Sequence, residues 1–567
     1  MSIPRQRRAR AATRVGNGPV VVIGGGHQGL VCAVLLAEAG VDVTVVEAQD
    51  ELGGAVRSGP LTGVGLEHDR YATNMNLFLG SPFYQAHADA LKRAGLAFVT
   101  SGEPYASAFP DGRSLRVVSD AEATLAMWRE HDERDAAGWQ RLETVFDDVA
   151  AAYLPLSSHA LPSLAGARAL WAVGRSARTT SLSELVQVVA SSTRALGERY
   201  LFTPEARALA AAWGMHLDFA PDVAGGAVFP LLELFLDMRL GMSVVAGGAS
   251  RLPAALRTLL EAHAGRVLTG VPAEQIVLDE GAVQSVRLTD GTTLPARGGV
   301  VCTTTLPALV RTLLSGQSIP SALSSAAERF RFGPGTFMLH LETSGPLPWS
   351  DPRLAASAYV HVGPYVDDMA RTYQQSLAGV LPDEPLLVVG QTSRVDPSRS
   401  TDPARHAVWV QVRTVPGTIL GDAGAADGRD LSGASWDAAG GVFADRVLAK
   451  LDRYAPGASG RVVDRAVSTP ADLHATNANL VGGDSVSGSH HLDQFAGLRP
   501  SLRLSRYRTP LTGLYLAGAG TWPGAGVNGV SGQLAAEALL SDRQPFRSWH
   551  RLVSRRDRTR LADAQPL

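Results

Sequence analysis

The sequence has few cysteines and none of the spacings that cysteine chemistry needs. Only Cys32 and Cys302 occur among the 567 residues, and each lies in an apolar run far from the other. This excludes a CxxC redox pair and a cysteine-based metal cluster, and we predict no metal site. We expect both residues to be small buried side chains in reducing surroundings.

Long apolar runs and an excess of charge of one sign are also lacking. No run reaches the roughly 18 residues of a membrane span, and the formal net charge is −2. No predicted domain is uniformly basic, so we expect no nucleic-acid partner. A soluble, cytoplasmic protein is therefore expected. Only the ends, 1–17 and 546–567, are basic tails, which would allow peripheral contact with a membrane of anionic lipid.

The first recognisable unit is a strand, a helix and a second strand. The apolar run at 20–23 suits a strand buried on both faces, as in a parallel sheet. A helix over about 30–39 and a strand over 42–46 complete a βαβ unit. Strand-rich segments at 266–286 and 299–303 would form the outer part of the same domain.

Other stretches predict a second domain in a chain long enough for at least two. Helical spacing predicts helices near 121–152, 181–199 and 205–215. Four β-rich segments predict a mainly antiparallel sheet: 337–342, 358–362, 386–391 and 408–415. The stretch 421–435, dense in Gly, Ala, Asp and Ser, is predicted to be a linker. The predicted fold class is α/β with a second α+β domain, made of an antiparallel sheet plus a helical insertion.

The loop after the first strand carries a dinucleotide fingerprint. Gly24, Gly26 and Gly29 form G-x-G-x-x-G at the start of a helix. The first permits a tight turn, the second lets the backbone approach a pyrophosphate, and the third lets helix and strand pack closely. Glu47 closes the second strand, where a carboxylate accepts hydrogen bonds from the hydroxyls of an adenosine ribose. This order predicts a Rossmann-type dinucleotide site.

The residues after Glu47 favour FAD over NAD. Gly53 and Gly54 form a second glycine pair, which looks like the pair that admits the pyrophosphate and ribitol in FAD enzymes of the glutathione-reductase-like fold. Ala55 stands where many relatives have arginine, and Arg57 can supply a similar charge. The predicted cofactor is FAD.

A second glycine-rich loop lies near the other end of the chain. A strand over 513–521 ends in small residues, a helix follows over about 530–540, and 524–529 between them repeats G-x-G-x-x-G. No further strand ending in an acid follows, so we reject a nicotinamide site. We expect the loop amides to face the flavin ring, because a helix N-terminus favours negative charge at N1 and the C2 oxygen. The cofactor-binding residues assigned here are Gly518, Gly520, Gly526, Val527 and Asn528.

The sequence resembles the phytoene dehydrogenase-like flavoproteins, especially the branch that contains pyridine nucleotide-disulphide oxidoreductase domain-containing protein 2. The resemblance runs from about residue 20 to 541. Its shorter motifs are Tyr507–Leu511, Leu514–Ala519, Pro523–Val527, His68-Asp69, Ser81–Phe83, Thr469–Leu473, Asn477–Leu480 and Gly247-Gly248. We predict a discontinuous FAD-binding domain of 18–75, 240–310 and 495–545, and a substrate domain of 76–239 and 311–494.

The resemblance implies a dehydrogenase, desaturase or oxidase that passes a hydride from an apolar or amine-bearing small molecule to flavin N5. The cofactor does the redox chemistry and the protein positions the substrate. Two alternatives stay open. A flavin amine oxidase would need an aromatic pair along the amine path. A non-catalytic binder of prenylated or lipid ligands would need no dinucleotide, so the intact set of Gly24, Gly26, Gly29 and Glu47 argues against it.

Three side chains are candidates for the chemistry. His490 and His491 lie in a glycine- and serine-rich stretch and could supply a base or a substrate anchor, or could be solvent-facing loop histidines. Trp522 stands where many relatives carry histidine, so the substrate of those relatives cannot be carried over. We expect its ring to form an apolar wall of the active-site cavity, with an ordinary core tryptophan as the alternative.

Overall fold

The computed structural model describes residues 16–63, 65–168, 171, 180–425 and 428–543. Most of the two basic tails, and 426–427 of the predicted linker, lie outside the described residues. The strands are β1 (Val20–Ile23), β2 (Val43–Val46), β3 (Ser58–Gly59), β4 (His68–Asp69), β5 (Phe98–Ser101), β6 (Tyr105–Ala108), β7 (Ser114–Val117), β8 (Met242–Val245), β9 (Arg266–Leu268), β10 (Ala273–Asp279), β11 (Ala282–Leu288), β12 (Thr293–Pro295), β13 (Gly299–Cys302), β14 (Gly335–Thr343), β15 (Tyr359–Val362), β16 (Val380–Leu381), β17 (Leu387–Gly390), β18 (His406–Val415), β19 (Gly421–Asp422), β20 (Val462–Ser468) and β21 (Leu514–Leu516).

The longer helices alternate with these strands. They are α1 (His27–Glu38), α2 (Pro82–Arg93), α3 (Ala121–His131), α4 (Glu133–Ser157), α5 (Leu182–Ala190), α6 (Thr193–Tyr200), α7 (Pro204–Met215), α8 (Val228–Leu240), α9 (Arg251–Ala262), α10 (Ser321–Arg329), α11 (Val366–Leu377), α12 (Trp436–Tyr454), α13 (Pro470–Thr476) and α14 (Val530–Arg543). Across the described residues, no helix has the length and apolar character that a membrane crossing requires.

A five-stranded parallel sheet carries the first glycine loop. Its order is β21-β13-β1-β2-β9, and β1, β2 and β13 are buried along their whole length. Burial on both faces explains why these strands read as continuous apolar runs. One face packs against α1, α9 and α14, and the other packs against the sheet β10-β11-β12. The predicted βαβ unit is confirmed.

The chain order in this sheet reverses beside β1. From β1 the chain moves to β2 on one side, whereas β13 pairs with β1 on the other side. In open α/β sheets, ligands bind at the carboxyl ends of the strands at such a point. Gly24 follows β1 and Thr303 follows β13, so both lie at this position.

The second sheet has seven strands in the order β20-β14-β18-β17-β15-β6-β7. All neighbours are antiparallel except β15 and β6, and the four predicted β-rich segments correspond to β14, β15, β17 and β18. One face packs against α12. The opposite face packs against the helices between residues 121 and 240, which form the predicted helical insertion.

Two predicted helices are each a pair of helices in the structure. The predicted helix 121–152 is interrupted at Asp132, which is extended and accepts a hydrogen bond from the amide of Arg134 as the N-cap of α4. The predicted helix 181–199 is interrupted at Ser192, which accepts from the amide of Ala195 and caps α6. Short polar side chains favour caps over helix interiors, and this local effect outweighs the helical periodicity.

The predicted linker 421–435 connects two elements of one unit. It joins β18 to α12, which pack in one hydrophobic core. Asp422 accepts from the amides of Gly424 and Leu431 and pairs with Arg446, 2.9 Å away. The Gly- and Ala-rich composition therefore belongs to a loop anchored within one unit.

Candidate cofactor and active site

The first glycine loop has space for an added side chain at Gly26 but none at Gly24 or Gly29. A Cβ atom on Gly24, whose φ is +103°, would lie 2.1 Å from Thr303 Oγ1, and one on Gly29 would lie 2.1 Å from the Gly24 carbonyl oxygen. On Gly26 it would meet nothing closer than 3.9 Å. No side chain caps α1, so the amides of its first turn are available to an anion.

Glu47 is attached to this loop by backbone hydrogen bonds. Its Oε2 accepts from the amide of Gly25 at 2.7 Å, and its Oε1 accepts from the amide of Gln49 at 2.9 Å. Each carboxylate oxygen can accept a further bond. The carboxylate is therefore fixed beside the loop and can still accept bonds from two hydroxyl groups.

The second glycine pair lies directly against the first loop. The amide of Gly53 donates to the Gly25 carbonyl at 2.9 Å, and a Cβ atom on Gly54 would lie 3.3 Å from the Gly26 Cα. Arg57 is almost fully buried and donates to the Thr476 carbonyl. Its Nε is buried with no hydrogen-bond partner among the described residues. An oxygen of a bound ligand would satisfy this donor.

The loop at 524–529 has a different environment. Gly524 and Gly526 have φ values of +106° and +104°. The Ala525 amide donates to His490 Nε2 at 3.0 Å, and a Cβ atom on Gly526 would lie 2.8 Å from Leu77. Val527 is buried. The second loop therefore packs against side chains, whereas the first loop is open beside Gly26.

The two glycine loops contact each other. Gln28 Nε2 donates to Asn528 Oδ1 at 3.1 Å, and Gln28 Oε1 accepts from the Gly532 amide at 2.9 Å. Burial lowers the pKa of His27 to about 4, and a hydrogen bond with the Gly526 backbone opposes this shift. The His27 Nε2 has no partner among the described residues. The N-terminal ends of α1 and α14 therefore face one region.

The sequence pattern does not single out His27 and Gln28. They occupy the variable positions of G-x-G-x-x-G, where the motif gives no signal. Only the distant second loop reveals their role, because their partners are Gly526, Asn528 and Gly532.

Gly518 and Gly520 follow β21 at the same end of the parallel sheet. A Cβ atom on Gly518 would lie 2.9 Å from the Thr303 carbonyl oxygen, and its φ is +94°. On Gly520 the nearest atom would be 3.9 Å away. The chain therefore has open space beside Gly520, as it has beside Gly26.

The two candidate histidines lie in different surroundings. His490 is 1% exposed, and its Nε2 accepts from Ala525. Burial, aided by the charge of Arg499, holds its pKa well below the usual range. His491 is part-exposed and places its Nε2 3.2 Å from the Tyr373 hydroxyl and 3.0 Å from the Asp218 carbonyl oxygen. The two ring nitrogens therefore have different partners, although both rings pack against Phe219, at 6.4 and 6.5 Å between centroids.

Trp522 lies in an aromatic group. Its side chain is 1% exposed and donates to the His159 carbonyl at 3.2 Å. Its ring packs edge-to-face with Phe495 at 5.3 Å and with Tyr153 at 6.0 Å between centroids. Tyr153 belongs to α4, so Trp522 connects the second glycine loop with the helical insertion.

The face of the seven-stranded sheet opposite α12 carries polar groups without partners. Both ring nitrogens of His340 are buried with no hydrogen bond among the described residues, as are Trp409 Nε1, His361 Nδ1 and Ser107 Oγ. Burial lowers the pKa of His340 and of His361 to about 3. Buried polar atoms without partners are rare. This face therefore offers hydrogen-bonding capacity to a polar ligand.

The cysteines are placed as the sequence predicts. Cys32 and Cys302 are both free and buried, and burial raises the pKa of each thiol. In the part of the chain that the structure describes, no group of three or more His, Cys, Asp and Glu side chains could hold a metal ion.

The chain matches the model of a family described as flavin containing amine oxidoreductase over residues 29–392. A phytoene dehydrogenase of Streptomyces griseus is 30% identical over 92% of this chain and 95% of its own. Pyridine nucleotide-disulfide oxidoreductase domain-containing protein 2 of Rattus norvegicus is 25% identical over 92% of this chain and 93% of its own. Hydroxyneurosporene desaturase of Rhodobacter capsulatus is 26% identical over 92% of this chain and 98% of its own.

Solved structures share the fold. Putrescine oxidase with bound putrescine has a TM-score of 0.58 at 17% identity, covering 92% of this chain and 99% of that chain. Cyclohexylamine oxidase of Brevibacterium oxydans has a TM-score of 0.53 at 15% identity, covering 94% and 99%.

The residues of this chain fit FAD. The open side of Gly26, the uncapped start of α1 and the unpartnered Arg57 Nε suit a pyrophosphate, and the Glu47 carboxylate suits a ribose. The family and its desaturase relatives set aside the non-catalytic alternative. The chain belongs to the flavin-containing amine oxidoreductase family, as an FAD-dependent oxidoreductase of the phytoene dehydrogenase-like branch that its motifs predict.

Proposed function

We propose that both glycine loops hold a single FAD in a glutathione-reductase-like arrangement. Gly24, Gly26 and Gly29 would place the α1 amides at the pyrophosphate, and Glu47 would hold the adenosine ribose. Gly53, Gly54 and Arg57 would continue the path along the ribitol. The residues proposed at the ring are Gly518, Gly520, Gly526, Val527 and Asn528. The contact between Gln28 and Asn528 carries this proposal, because it joins the two loops.

The reaction we propose is dehydrogenation of a small molecule held between the parallel-sheet end and the seven-stranded sheet. FAD, when bound, accepts a hydride at N5. Trp522, Phe495 and Tyr153 would exclude water from one side of the substrate. His340 and Trp409 would orient polar groups of the substrate from the sheet.

His490 acts in this proposal as a positioning residue. Its acceptor nitrogen holds the Ala525 amide, so it fixes the loop that would face the flavin ring. His491 stays a candidate base or substrate anchor, since its Nε2 lies beside the Tyr373 hydroxyl.

Amine oxidation is a second candidate. It would need an aromatic pair, and the structure provides partners for Trp522 in Phe495 and Tyr153. A dehydrogenase acting on an apolar skeleton would use the same aromatic wall. The polar groups of the sheet favour a substrate that is not purely hydrocarbon.

The test is anaerobic mixing of the purified holoenzyme with a panel of neutral hydrocarbons and amines, monitored by bleaching of the flavin band. Trp522→His should keep its FAD content and change which compounds bleach the flavin. Loss of FAD with an unchanged order of substrates would assign Trp522 to packing. Bleaching by no member of either class would contradict the proposed reaction.

A further inference from the structure

Helix α8 carries two carboxyl groups one turn apart, Glu233 and Asp237. Both side chains are buried, at 7% and 0% exposure. Their helix packs in the core that joins the helical insertion to the seven-stranded sheet. Neither acid has an Arg, Lys or His ion-pair partner among the described residues. Two neighbouring buried acids without a cationic partner cost stability, so their presence requires an explanation.

Asp237 is held by the segment that follows β4. Asn74 Nδ2 donates to both of its oxygens at 3.1 Å, and Asn76 Nδ2 donates to Oδ1 at 2.6 Å. Asn76 also donates to the Gly241 carbonyl and accepts from the Ser243 amide. This network fixes Asp237, and burial raises its pKa to about 7.

Glu233 lacks such a network. Its carboxyl accepts no hydrogen bond from any described residue, although it is more than nine-tenths buried. Burial, with the charge of Asp237 adding to it, raises its pKa well above the usual range. The charge of Glu233 adds to the raised pKa of three tyrosines from three elements: Tyr105 of β6, Tyr153 of α4 and Tyr359 of β15.

One of these tyrosines connects Glu233 with the candidate active site. Tyr153 packs edge-to-face on Trp522, which follows the strand end at Gly518–Gly520. Asp237 is bound to the segment after the second glycine pair. The unpartnered carboxyl therefore lies among the sheet, the helical insertion and the parallel-sheet unit, where the proposed function places the substrate.

We propose that Glu233, with Asp237 behind it, is a specificity-determining anchor for a cationic group of the substrate, a primary or secondary ammonium. The inference rests on the proposed function only for the location of the substrate. An ammonium donates two or three hydrogen bonds and neutralises the pair. A neutral hydrocarbon would leave the carboxyl without a partner.

Binding of a cation to this pair has a consequence for protons. Burial raises the pKa of both carboxyl groups and so disfavours their ionisation without a ligand. An ammonium favours the ionised carboxylate. A carboxyl proton therefore passes to the solvent as the ammonium binds, and no covalent bond is made or broken.

The experiment is titration calorimetry of the holoenzyme with tert-butylammonium at pH 7. This amine has no hydrogen on the carbon that bears nitrogen, so it cannot be dehydrogenated there. The neutral control ligand is tert-butanol. Two buffers of different ionisation enthalpy report the protons released. The variants are Glu233→Gln and the matched control Glu198→Gln, an exposed glutamate of α6.

We expect tert-butylammonium to bind the wild type and Glu198→Gln with proton release, and tert-butanol not to bind. Glu233→Gln should weaken binding of the amine at least roughly tenfold, the loss of one charge-assisted hydrogen bond, and should abolish the proton release. No binding to the wild type, or binding without proton release, would overturn the proposal. Equal affinity of Glu233→Gln would also overturn it.

Two further observations distinguish a failure of the proposed anchor from a failure of the proposed function. If Glu233→Gln does not fold, the proton release of the wild type decides the question by itself. The FAD content of each preparation is read from its absorbance. A wild type that binds the amine but lacks FAD would contradict the proposed function and support the anchor. A wild type that contains FAD but does not bind the amine would support FAD binding and contradict the anchor.

Discussion

The two glycine loops of this chain have the same spacing but different surroundings. The loop at 24–29 follows β1, precedes α1 and is followed by a strand that ends at Glu47. The loop at 524–529 follows β21 and precedes α14, which ends at the last described residue, Arg543. The first is open beside Gly26, whereas the second packs on His490 and Leu77.

This difference shows what the motif alone establishes. Glycines at this spacing permit a tight turn into a helix, and the elements that follow decide which ligand the turn serves. Asn528 binds Gln28 of the first loop. We therefore interpret the second loop as a part of the first loop's site.

The largest expected effect comes from replacing the third glycine of each loop with alanine. In Gly29→Ala the new Cβ would lie 2.1 Å from a backbone oxygen, so we expect a loss of about 3 kcal/mol or more and little bound FAD. In Gly529→Ala the nearest atom is 3.2 Å away on the Val31 side chain. Its φ of +77° should cost about 1–2 kcal/mol. Thermal unfolding and flavin absorbance measure both, and equal losses would contradict the comparison.

The acid that ends the strand after the first loop gives the next effect. Glu47→Ala removes the carboxylate that would bind the ribose, and we expect roughly 10- to 100-fold weaker FAD binding. Glu51→Ala, at an exposed position just beyond it, is the control. Titration of the apoprotein with FAD measures both affinities. An unchanged affinity in Glu47→Ala would show that the acid does not serve the cofactor.

The first loop contains a histidine with a lowered pKa, His27, and the second loop contacts another, His490. For His27 the folded value is about 4 against an ordinary 6.5, so the unfolded chain binds the extra proton in this window. Stability is therefore full above pH 6.5 and is lost as the pH falls through 4, by up to about 3 kcal/mol. His27→Gln should lose less stability between pH 7 and 4.5 than the wild type. If the wild type and His27→Gln lose the same free energy of unfolding between pH 7 and 4.5, this prediction is wrong.

The smallest expected effect is on turnover without the thiols. Cys32 lies on α1 and Cys302 on β13, both buried, and burial makes a thiol unreactive. The double variant Cys32→Ala, Cys302→Ala should keep its rates of flavin reduction and reoxidation in stopped-flow measurements, even where its melting temperature falls. A large loss in reoxidation alone would assign a thiol to electron transfer.

The sequence predicts local features of the fold better than long-range contacts. The buried β1, α1 and β2 are evident because parallel strands read as apolar runs and the glycines sit between them. The split at Asp132 is missed because one capping side chain overrides helical periodicity. The role of 421–435 is missed because the pairing of Asp422 with Arg446 joins residues that no local pattern relates.

In the candidate site, too, local features are predicted from the sequence and long-range contacts are not. Gly24, Gly29 and Glu47 are predicted from spacing, and the structure brings them together. Gln28 is not predicted, because its importance depends on its contact with the distant Asn528. Glu233 is not predicted, because its importance depends on its burial without a partner among the described residues. The histidine stretch looks like one site in sequence, and both rings pack against Phe219, yet His490 and His491 have different hydrogen-bond partners.

In our proposal the two glycine loops form one FAD site, and the described residues form no separate nicotinamide site. The most direct measurement is anaerobic stopped-flow mixing of the FAD-loaded enzyme with NADH or NADPH, after titration of the apoprotein with FAD. We predict one FAD per chain and slow or no bleaching of the flavin by either nicotinamide. Rapid bleaching that saturates with nicotinamide concentration, or two bound dinucleotides per chain, would contradict the account.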